Sequence, residues 1–177
     1  MIINVAKVRK AFGSTEVFEF SEPLENIDLA DSVVEFTQVV EVQVKATNLG
    51  HSILLQGEIK TKCRLACSRC LEGYELDVDT GFSEELCHVT EVGAYLADHP
   101  EAEEEENYSV FSTDEIDLKP LVSEHVVLAL PMKPLCSEDC QGLCAQCGSN
   151  LNLKKCGCKP NEIDPRLEGL AKFFKKQ

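Results

Sequence analysis

Residues 52–67 read SILLQGEIKTKCRLAC, and from Ile59 onward they alternate between side chains that suit a core and side chains that suit water. Because successive side chains of a strand point to opposite faces of a sheet, the charged residues Lys60, Lys62 and Arg64 share one face. The other face carries the less polar set, Ile59, Thr61, Cys63, Leu65 and Cys67. The stretch therefore predicts a strand with one buried face.

Two further runs rich in β-branched residues flank this strand. They read VVEFTQVVEVQVKAT over 33–47 and YELDVDTGFSEELCHV over 74–89, and Asn48 to His51 form a candidate turn. The pattern predicts an antiparallel meander from Val33 to about Val89. Two N-terminal segments, IINVAKVRK and TEVFEFSEP, allow one or two additional strands.

A helix is predicted near residues 117–130, which read DLKPLVSEHVVLAL. Asp117 is a candidate N-cap, Pro120 suits the first turn, and Pro131 ends the pattern. The apolar positions at helical spacing are Leu118, Leu121, Val122, Val126 and Ala129. We expect this face to pack on the sheet, with His125 at the edge of the core as a satisfied histidine.

Residues 90–113 lose both periodicities and include the carboxylate run Glu103 to Glu106, which predicts a flexible acidic linker. The predicted fold class is α+β: an antiparallel β-meander with a packed helix and a C-terminal cysteine-rich segment that ends in a short helix. Six cysteines lie within residues 136–158, at spacings typical of a zinc knuckle. Residues 1–133 would form an acidic β-rich body. Residues 134–177 would form the zinc-binding segment and the basic C-terminal helix, in one folding unit with the body.

The charge of the chain is distributed unevenly. Residues 1–149 carry 10 Lys and Arg against 28 Asp and Glu, a net charge of −18, whereas residues 150–177 carry 7 against 3, a net of +4. An acidic body repels nucleic-acid phosphates, which confines any direct RNA contact to the basic end or a local patch.

Since the first residues lack the apolar run of a secretory signal and no stretch has membrane-spanning length, we expect a cytoplasmic protein with reduced thiols and no membrane contact.

Ten cysteines in a reducing compartment indicate metal ligands rather than disulfides. Eight of them form four close pairs, and such pairs of thiolates suit a tetrahedral zinc site. The pairs are Cys67 with Cys70, Cys136 with Cys140, Cys144 with Cys147, and Cys156 with Cys158. The remaining Cys63 and Cys87 fall inside strand patterns, where they fit as small apolar fillers.

Two partitions of these pairs are compatible with the spacing. In the preferred partition, the first pair joins the second in one zinc site, and the third pair joins the fourth in another. In the competing partition, a single zinc lies within residues 136–158 and the first pair binds none. Disulfides, an iron–sulfur cluster and a dithiol redox centre each fit the spacing and the compartment less well.

The chain shows no sign of a catalytic site. A four-thiolate zinc site is closed, without the open position that a catalytic metal keeps for water. The sequence contains no glycine-rich phosphate loop, GxSxG elbow or HExxH helix. We therefore expect a protein that is not an enzyme and has no small-molecule substrate.

The order of these motifs resembles the YceD family, the large ribosomal RNA subunit accumulation proteins. The resemblance rests on CSRCL at 67–71, an acidic linker, DLKPLVSEHVVLALPMKPLC, the segment CQGLCAQCGSNLN, the CGC at 156–158 and a closing DPRLEGL. It implies a non-enzymatic role in producing, processing or stabilising large-subunit ribosomal RNA. It brings no established binding residues, so the metal ligands rest on spacing.

Two modes of action remain open. One is binding of ribosomal RNA through the basic tail, with Arg64 and Arg69 beside the first cysteine pair as possible additions. The candidate tail contacts are Lys154, Lys155, Lys159 and Arg166. The other is binding of a basic ribosomal protein of the large subunit by the acidic body, which we favour because the overall field opposes RNA. The alternative function is a zinc-ribbon adaptor that binds a basic protein partner unrelated to ribosomes.

Overall fold

The computed structural model describes residues 1–29, 32–99 and 109–158. These residues form nine strands, two α-helices and a short 3-10 helix at Val8–Lys10. The strands are β1 (Ile2–Asn4), β2 (Thr15–Glu22), β3 (Ile27–Leu29), β4 (Ser32–Phe36), β5 (Val40–Asn48), β6 (Ser52–Ala66), β7 (Gly73–His88), β8 (Ser109–Phe111) and β9 (Glu115–Asp117). The helices are α1 (Val92–Asp98) and α2 (Lys119–Ala129).

Strand β6, which contains the alternating stretch, is the centre of the main sheet. It pairs antiparallel with β7 along its whole length, from Ser52 opposite Cys87 to Ala66 opposite Gly73. Its other edge pairs first with β5 and then with β4. Strand β2 lies outside β5, β3 lies outside β4, and β8 runs parallel to β7. Strands β1 and β9 form a separate two-stranded sheet.

The predicted meander is confirmed for β5, β6 and β7, and it is wrong for β4. Strand β4 does not pair with β5, its neighbour in sequence, but with β6, where Phe36 lies opposite Cys63. The reason is length: β6 has 15 residues and β5 has 9, so the last part of the β6 edge is open to another strand. Both segments expected to add strands near the N-terminus do so, as β1 and β2.

The predicted buried face of β6 is confirmed. Ile59 and Cys63 have no exposed surface, and the intervening Lys60 and Lys62 are not buried. The main core contains these residues together with the inward side chains of β5 and the apolar face of α2. Burial of this apolar surface is the main favourable contribution to the folding of the body.

The helix predicted near 117–130 is present as α2, which packs on β7. The N-cap is Leu118 rather than Asp117, although the Asp117 carboxylate accepts a hydrogen bond of 3.0 Å from the backbone N–H of Lys119. Pro120 lies in the first turn as predicted. Val122 and Val126 are fully buried, but Ala129 is exposed, because the stripe turns away from the sheet at the last residue.

His125 lies at the edge of the core, as predicted for a satisfied histidine. Its ring stacks on Phe82 with a centroid distance of 5.2 Å, and its Nε2 lies 3.2 Å from a carboxylate oxygen of Glu84. Both partners lie on β7, so this histidine contributes to the packing of α2 on the sheet.

The prediction of an irregular linker over 90–113 is wrong at both of its ends. Val92–Asp98 form α1, whose Tyr95 is buried beside Cys87, and Ser109–Phe111 form β8. The spacing of Val92, Tyr95 and Leu96 is the helical signal that the acidic composition obscured. The carboxylate run itself lies outside the described residues, and so does the predicted C-terminal helix.

The chain divides into two compact units. One consists of Met1–Ser68 and Glu72–Cys136 and contains both sheets; the other consists of Arg69–Leu71 and Ser137–Gln177. Among the described residues, no helix combines the length and the apolar character needed to cross a membrane.

Candidate metal centres

The first CxxC pair lies in the turn that joins β6 to β7. The backbone N–H of Cys67 donates a hydrogen bond of 2.9 Å to the carbonyl of Glu72, which closes a tight loop around the two thiols. The backbone of Leu71, directly after Cys70, has a positive φ of 63°. Outside this loop, Ala66 and Gly73 are the last paired residues of the hairpin.

The other CxxC pair, Cys144 and Cys147, repeats this geometry. The backbone N–H of Cys144 donates to the carbonyl of Ser149 at 2.9 Å, five residues on, as in the first turn. Gly148, directly after Cys147, has a φ of 69°. The flanking residues Leu143 and Asn150 form an isolated antiparallel bridge. Each turn therefore directs two thiols to one side of a short hairpin.

The eight paired cysteines lie in two groups of four, and within each group all sulfur atoms lie within 4.8 Å of one another. The first thiol group contains Cys67, Cys70, Cys136 and Cys140; the second thiol group contains Cys144, Cys147, Cys156 and Cys158. Four sulfurs at ~2.3 Å from a tetrahedral zinc would be separated by about 3.8 Å, which fits both groups. The grouping is the preferred partition of the pairs.

Hydrogen bonds bring the remaining segments to the first turn. The backbone N–H and the hydroxyl of Ser68 both donate to the carbonyl of Pro134, at 2.8 and 3.0 Å, two residues before Cys136. The guanidinium of Arg69 donates to the carbonyl of Cys140 at 2.9 Å. The ligand segments are thus fixed by contacts other than the thiols themselves.

The thiols of the first group are mostly buried, so a negative charge on them would be poorly solvated. Cys67, Cys70 and Cys140 are almost completely buried, whereas Cys136 is exposed. Burial raises the pKa of Tyr74, and the thiolate charges of Cys67 and Cys136 raise it further. Since several buried thiolates are costly without a compensating charge, this group is suited to a cation.

In the second thiol group, hydrogen bonds to the backbone and between the thiols determine the pKa values of the cysteines. Donation from the backbone N–H groups of Cys147 and Gln146 lowers the pKa of Cys144. The hydrogen bond with the Ser149 hydroxyl, at 3.3 Å from the sulfur, and its backbone N–H lower the pKa of Cys147 to about 6. Donation from Cys158 to the Cys147 sulfur raises the pKa of Cys158 to about 12. The turn therefore stabilises thiolates, the form that binds metal.

Cys63 and Cys87 take no part in either group, as predicted. Both are buried, and burial raises the pKa of Cys63 to about 11 and also raises the pKa of Cys87. The Cys87 thiol lies 3.4 Å from the carbonyl oxygens of His51 and His88. These two thiols are neutral packing groups at physiological pH.

The candidate basic contacts are only partly described. Lys154 and Lys155 are exposed, between Cys147 and Cys156, whereas Lys159 and Arg166 lie outside the described residues. Arg64 lies 3.8 Å from a carboxylate oxygen of Glu75. The Arg69 guanidinium donates to the carbonyls of Glu138 and Cys140, so Arg64 and Arg69 each have a protein partner.

The spacing of the cysteines did not identify two polar residues of these sites, Arg69 and Asn152. Arg69 lies between the first two cysteines, and Asn152 donates from Nδ2 to the sulfur of Cys140 at 3.2 Å. Asn150 and Asn152 resemble turn residues in the sequence, so their composition alone indicates only a loop.

These features define a class: an α+β protein with a central antiparallel sheet and two candidate metal centres of four thiols each. The closed set of sulfur ligands in each centre is typical of a structural metal rather than a catalytic one. The chain belongs to the YceD family, described as large ribosomal RNA subunit accumulation protein YceD, whose model matches residues 55–174.

Relatives extend this similarity to most of the chain. An uncharacterized protein of Mycobacterium tuberculosis is 26% identical over 178 residues, which cover 98% of this chain and 81% of that protein. The uncharacterized protein YlbN of Bacillus subtilis is 28% identical over 162 residues, 90% of this chain and 89% of YlbN.

A plant relative carries a functional name. The chloroplastic large ribosomal RNA subunit accumulation protein YCED homolog 1 of Arabidopsis thaliana is 27% identical over 145 residues. These cover 71% of this chain and 45% of the plant protein, which is therefore considerably longer. No solved structure matches the chain significantly.

Proposed function

We propose that this protein is a non-enzymatic, zinc-binding factor that promotes the synthesis, processing or stability of large-subunit ribosomal RNA. The observation that carries the proposal is the pair of four-thiol groups, built on CxxC turns of the same geometry, in a chain of the YceD family. The family description and the name of the plant relative support the link to large-subunit ribosomal RNA.

Zinc is the metal that this donor set favours. Thiolates select zinc, copper(I) and iron–sulfur clusters, and a mononuclear tetrahedral site of four sulfurs is typical of structural zinc. With four thiolates and one Zn²⁺, each site carries a net charge of about −2. Zinc in both sites would leave no coordination position for water, which supports a role without catalysis and without a small-molecule substrate.

A basic protein of the large subunit is the direct partner that we favour over RNA. Three cations of β6 face carboxylates of β7: Lys60 lies 3.8 Å from Asp79, Lys62 lies 3.2 Å from Asp77, and Arg64 lies 3.8 Å from Glu75. Each of these three pairs is neutral, so the net charge of −18 over residues 1–149 comes from the other 25 carboxylates set against the other 7 Lys and Arg. Such a field attracts a basic partner and repels a phosphate backbone.

The metal part of the proposal is tested by elemental analysis of protein purified without added metal. We expect two zinc ions per chain, falling to one when Cys67 and Cys70 are both replaced by serine. Replacement of the packing cysteine Cys63 by alanine is the matched control and should leave the zinc content unchanged. A wild-type chain that holds no zinc, or holds iron, contradicts this part.

The ribosomal part is tested in cells that lack the protein. We expect a lowered ratio of large-subunit to small-subunit ribosomal RNA, restored by the wild-type chain and not by the double serine variant. Affinity capture at moderate salt should recover large-subunit proteins after nuclease treatment. Recovery that requires intact RNA would favour direct RNA binding, and capture of basic proteins without ribosomal material would favour an adaptor unrelated to ribosomes.

The chain would act in the cytoplasm, where thiols stay reduced.

A further inference from the structure

Asn152 contacts the first thiol group from within the segment that the second thiol group encloses. Its side-chain Nδ2 lies 3.2 Å from the sulfur of Cys140, a member of the first group. Along the chain, Asn152 lies between Cys147 and Cys156, both members of the second group. One side chain thus contacts a cysteine of the first group, although its own chain segment lies between cysteines of the second group.

The orientation of this amide is fixed by a backbone group that can only donate. The N–H of Gln141 donates to Oδ1 of Asn152 at 2.7 Å, so the Nδ2 end must face the sulfur. The backbone N–H of Asn152 in turn donates to Oδ1 of Asn150 at 3.0 Å. A donor held in this way is placed to hydrogen-bond the Cys140 sulfur as an outer contact of a metal bound there.

The segment that carries Asn152 is anchored at both ends by the second thiol group. Cys144 and Cys147 precede it, and Cys156 and Cys158 follow it. Inside the segment, the backbone N–H groups of Leu153 and Lys154 donate to the carbonyl of Asn150, both at 3.2 Å. The N–H of Leu151 donates to the carbonyl of Gly142, before Cys144, at 2.9 Å. A metal that binds both ends would close the loop and remove much of the entropy that opposes placing the amide against Cys140.

We propose that Asn152 is a positioning residue that couples the two centres, so that metal in the second thiol group raises the metal affinity of the first. By thermodynamic reciprocity, metal in the first group raises the affinity of the second by the same factor. The inference rests on the proposed metal sites and adds cooperative filling: a chain that holds a metal in one group binds metal in the other with higher affinity. Outer ligands of this kind typically change metal affinity by about 10- to 100-fold.

The test uses the metal-free full chain titrated with Co²⁺, whose charge-transfer absorption reports thiolate ligation. Asn152→Asp keeps the size of the side chain and the acceptor for Gln141, but it replaces the donor to Cys140 with a carboxylate oxygen. We expect the Co²⁺ affinity of the first group to fall by about 10- to 100-fold and its charge-transfer band to move to longer wavelength, because the thiolate loses a hydrogen bond. Leu153→Asp, at an exposed neighbouring position, controls for the added charge and should change neither property.

A double-mutant cycle isolates the coupling. Replacing Cys144 and Cys147 by serine disables the second group and should lower the affinity of the first group in the wild-type chain, but cause little further loss in Asn152→Asp. An equal loss in both backgrounds would overturn the coupling, and an unchanged first-group affinity in Asn152→Asp would overturn the positioning role.

The folding of the variant and the proposed metal sites are checked separately. With Cys67 and Cys70 replaced by serine, Asn152→Asp should bind Co²⁺ at the second group as the parent does, which shows that the segment still folds. Absence of Co²⁺ binding at the first group of the wild-type chain would overturn both the metal site of the proposed function and the coupling that rests on it. Normal Co²⁺ binding there with no effect of Asn152→Asp would overturn the coupling alone.

Discussion

Leu71 and Gly148 occupy the same position in two separate CxxC turns, and both have a left-handed backbone, with φ values of 63° and 69°. Each follows the second cysteine of its pair, and each turn is closed by an N–H to carbonyl bond from the first cysteine to the residue five positions on. Glycine adopts this conformation at little cost, whereas leucine does so at a penalty of about 1–2 kcal/mol. One turn is thus relaxed and the other is strained.

The first prediction concerns this left-handed position. Gly148→Ala should destabilise the second turn by about 1 kcal/mol and lower its Co²⁺ affinity, because the added Cβ makes a positive φ unfavourable although no atom lies within 4 Å of it. Gly157→Ala is the matched control, since that position is equally open and has no positive φ. Equal affinities for the two variants in a cobalt titration would contradict the argument.

The second prediction concerns the hairpin of β6 and β7. Gly57 lies opposite Phe82, and a Cβ on Gly57 would come within 2.5 Å of Cζ of that ring. Gly57→Ala should therefore lower the free energy of unfolding by about 1–3 kcal/mol through overpacking, measured by chemical denaturation of the metal-loaded chain. Gly93→Ala, in α1 with open space around the added methyl, should be neutral or slightly stabilising. A Gly57→Ala variant as stable as the wild type would show that the ring can move aside.

The sequence predicted those elements of the body in which the alternation of a strand or the spacing of a helix extends over many residues. The alternation in β6 and the helical spacing in α2 survive because each element buries one face along most of its length. Strands β8 and β9 have three residues each, which is too short for any period to be visible. Their partners are distant in sequence, as with Ile3 opposite Ile116, so only tertiary packing defines them.

The candidate metal ligands were predictable for a chemical reason that does not depend on periodicity. Thiolate pairs at short spacing have few other uses in a reduced protein, which is why the sequence analysis singled out the same eight cysteines that the structure brings together in two groups of four. The contacts of Arg69 and Asn152 with the ligand segments were missed because they depend on the carbonyl and the sulfur of Cys140, which is distant in sequence. A polar side chain in a loop gives no sequence signal of such a partner.

The third prediction uses the raised pKa values of the packing thiols. If metal holds the thiol groups closed, a chelator should open both groups and make their eight cysteines reactive toward iodoacetamide, whereas Cys63 in β6 and Cys87 in β7 should remain protected. Since the thiolate is the reacting form, the rise from 9.0 to about 11 leaves Cys63 with about a hundredth of the usual thiolate at neutral pH. Mass spectrometry of peptides from the chelated chain checks this, with the denatured chain as the control in which all ten react. Rapid labelling of Cys63 in the folded chain would mean that it is not a buried packing group.

The fourth prediction separates the two possible partners through Lys154 and Lys155, the exposed lysines between Cys147 and Cys156. Lys154→Glu with Lys155→Glu should leave nuclease-resistant capture of basic ribosomal proteins intact, because the proposed contact is the acidic body. Lys119→Glu with Lys133→Glu makes the same charge change at exposed positions of the body and controls for net charge. If these tail lysines bound phosphates instead, the double variant would weaken RNA binding and reduce its salt dependence by about 2 in log–log slope, one for each phosphate that is no longer neutralised. That result, seen for Lys154 and Lys155 and not for the control pair, would transfer the partner role from the acidic body to the basic end of the chain.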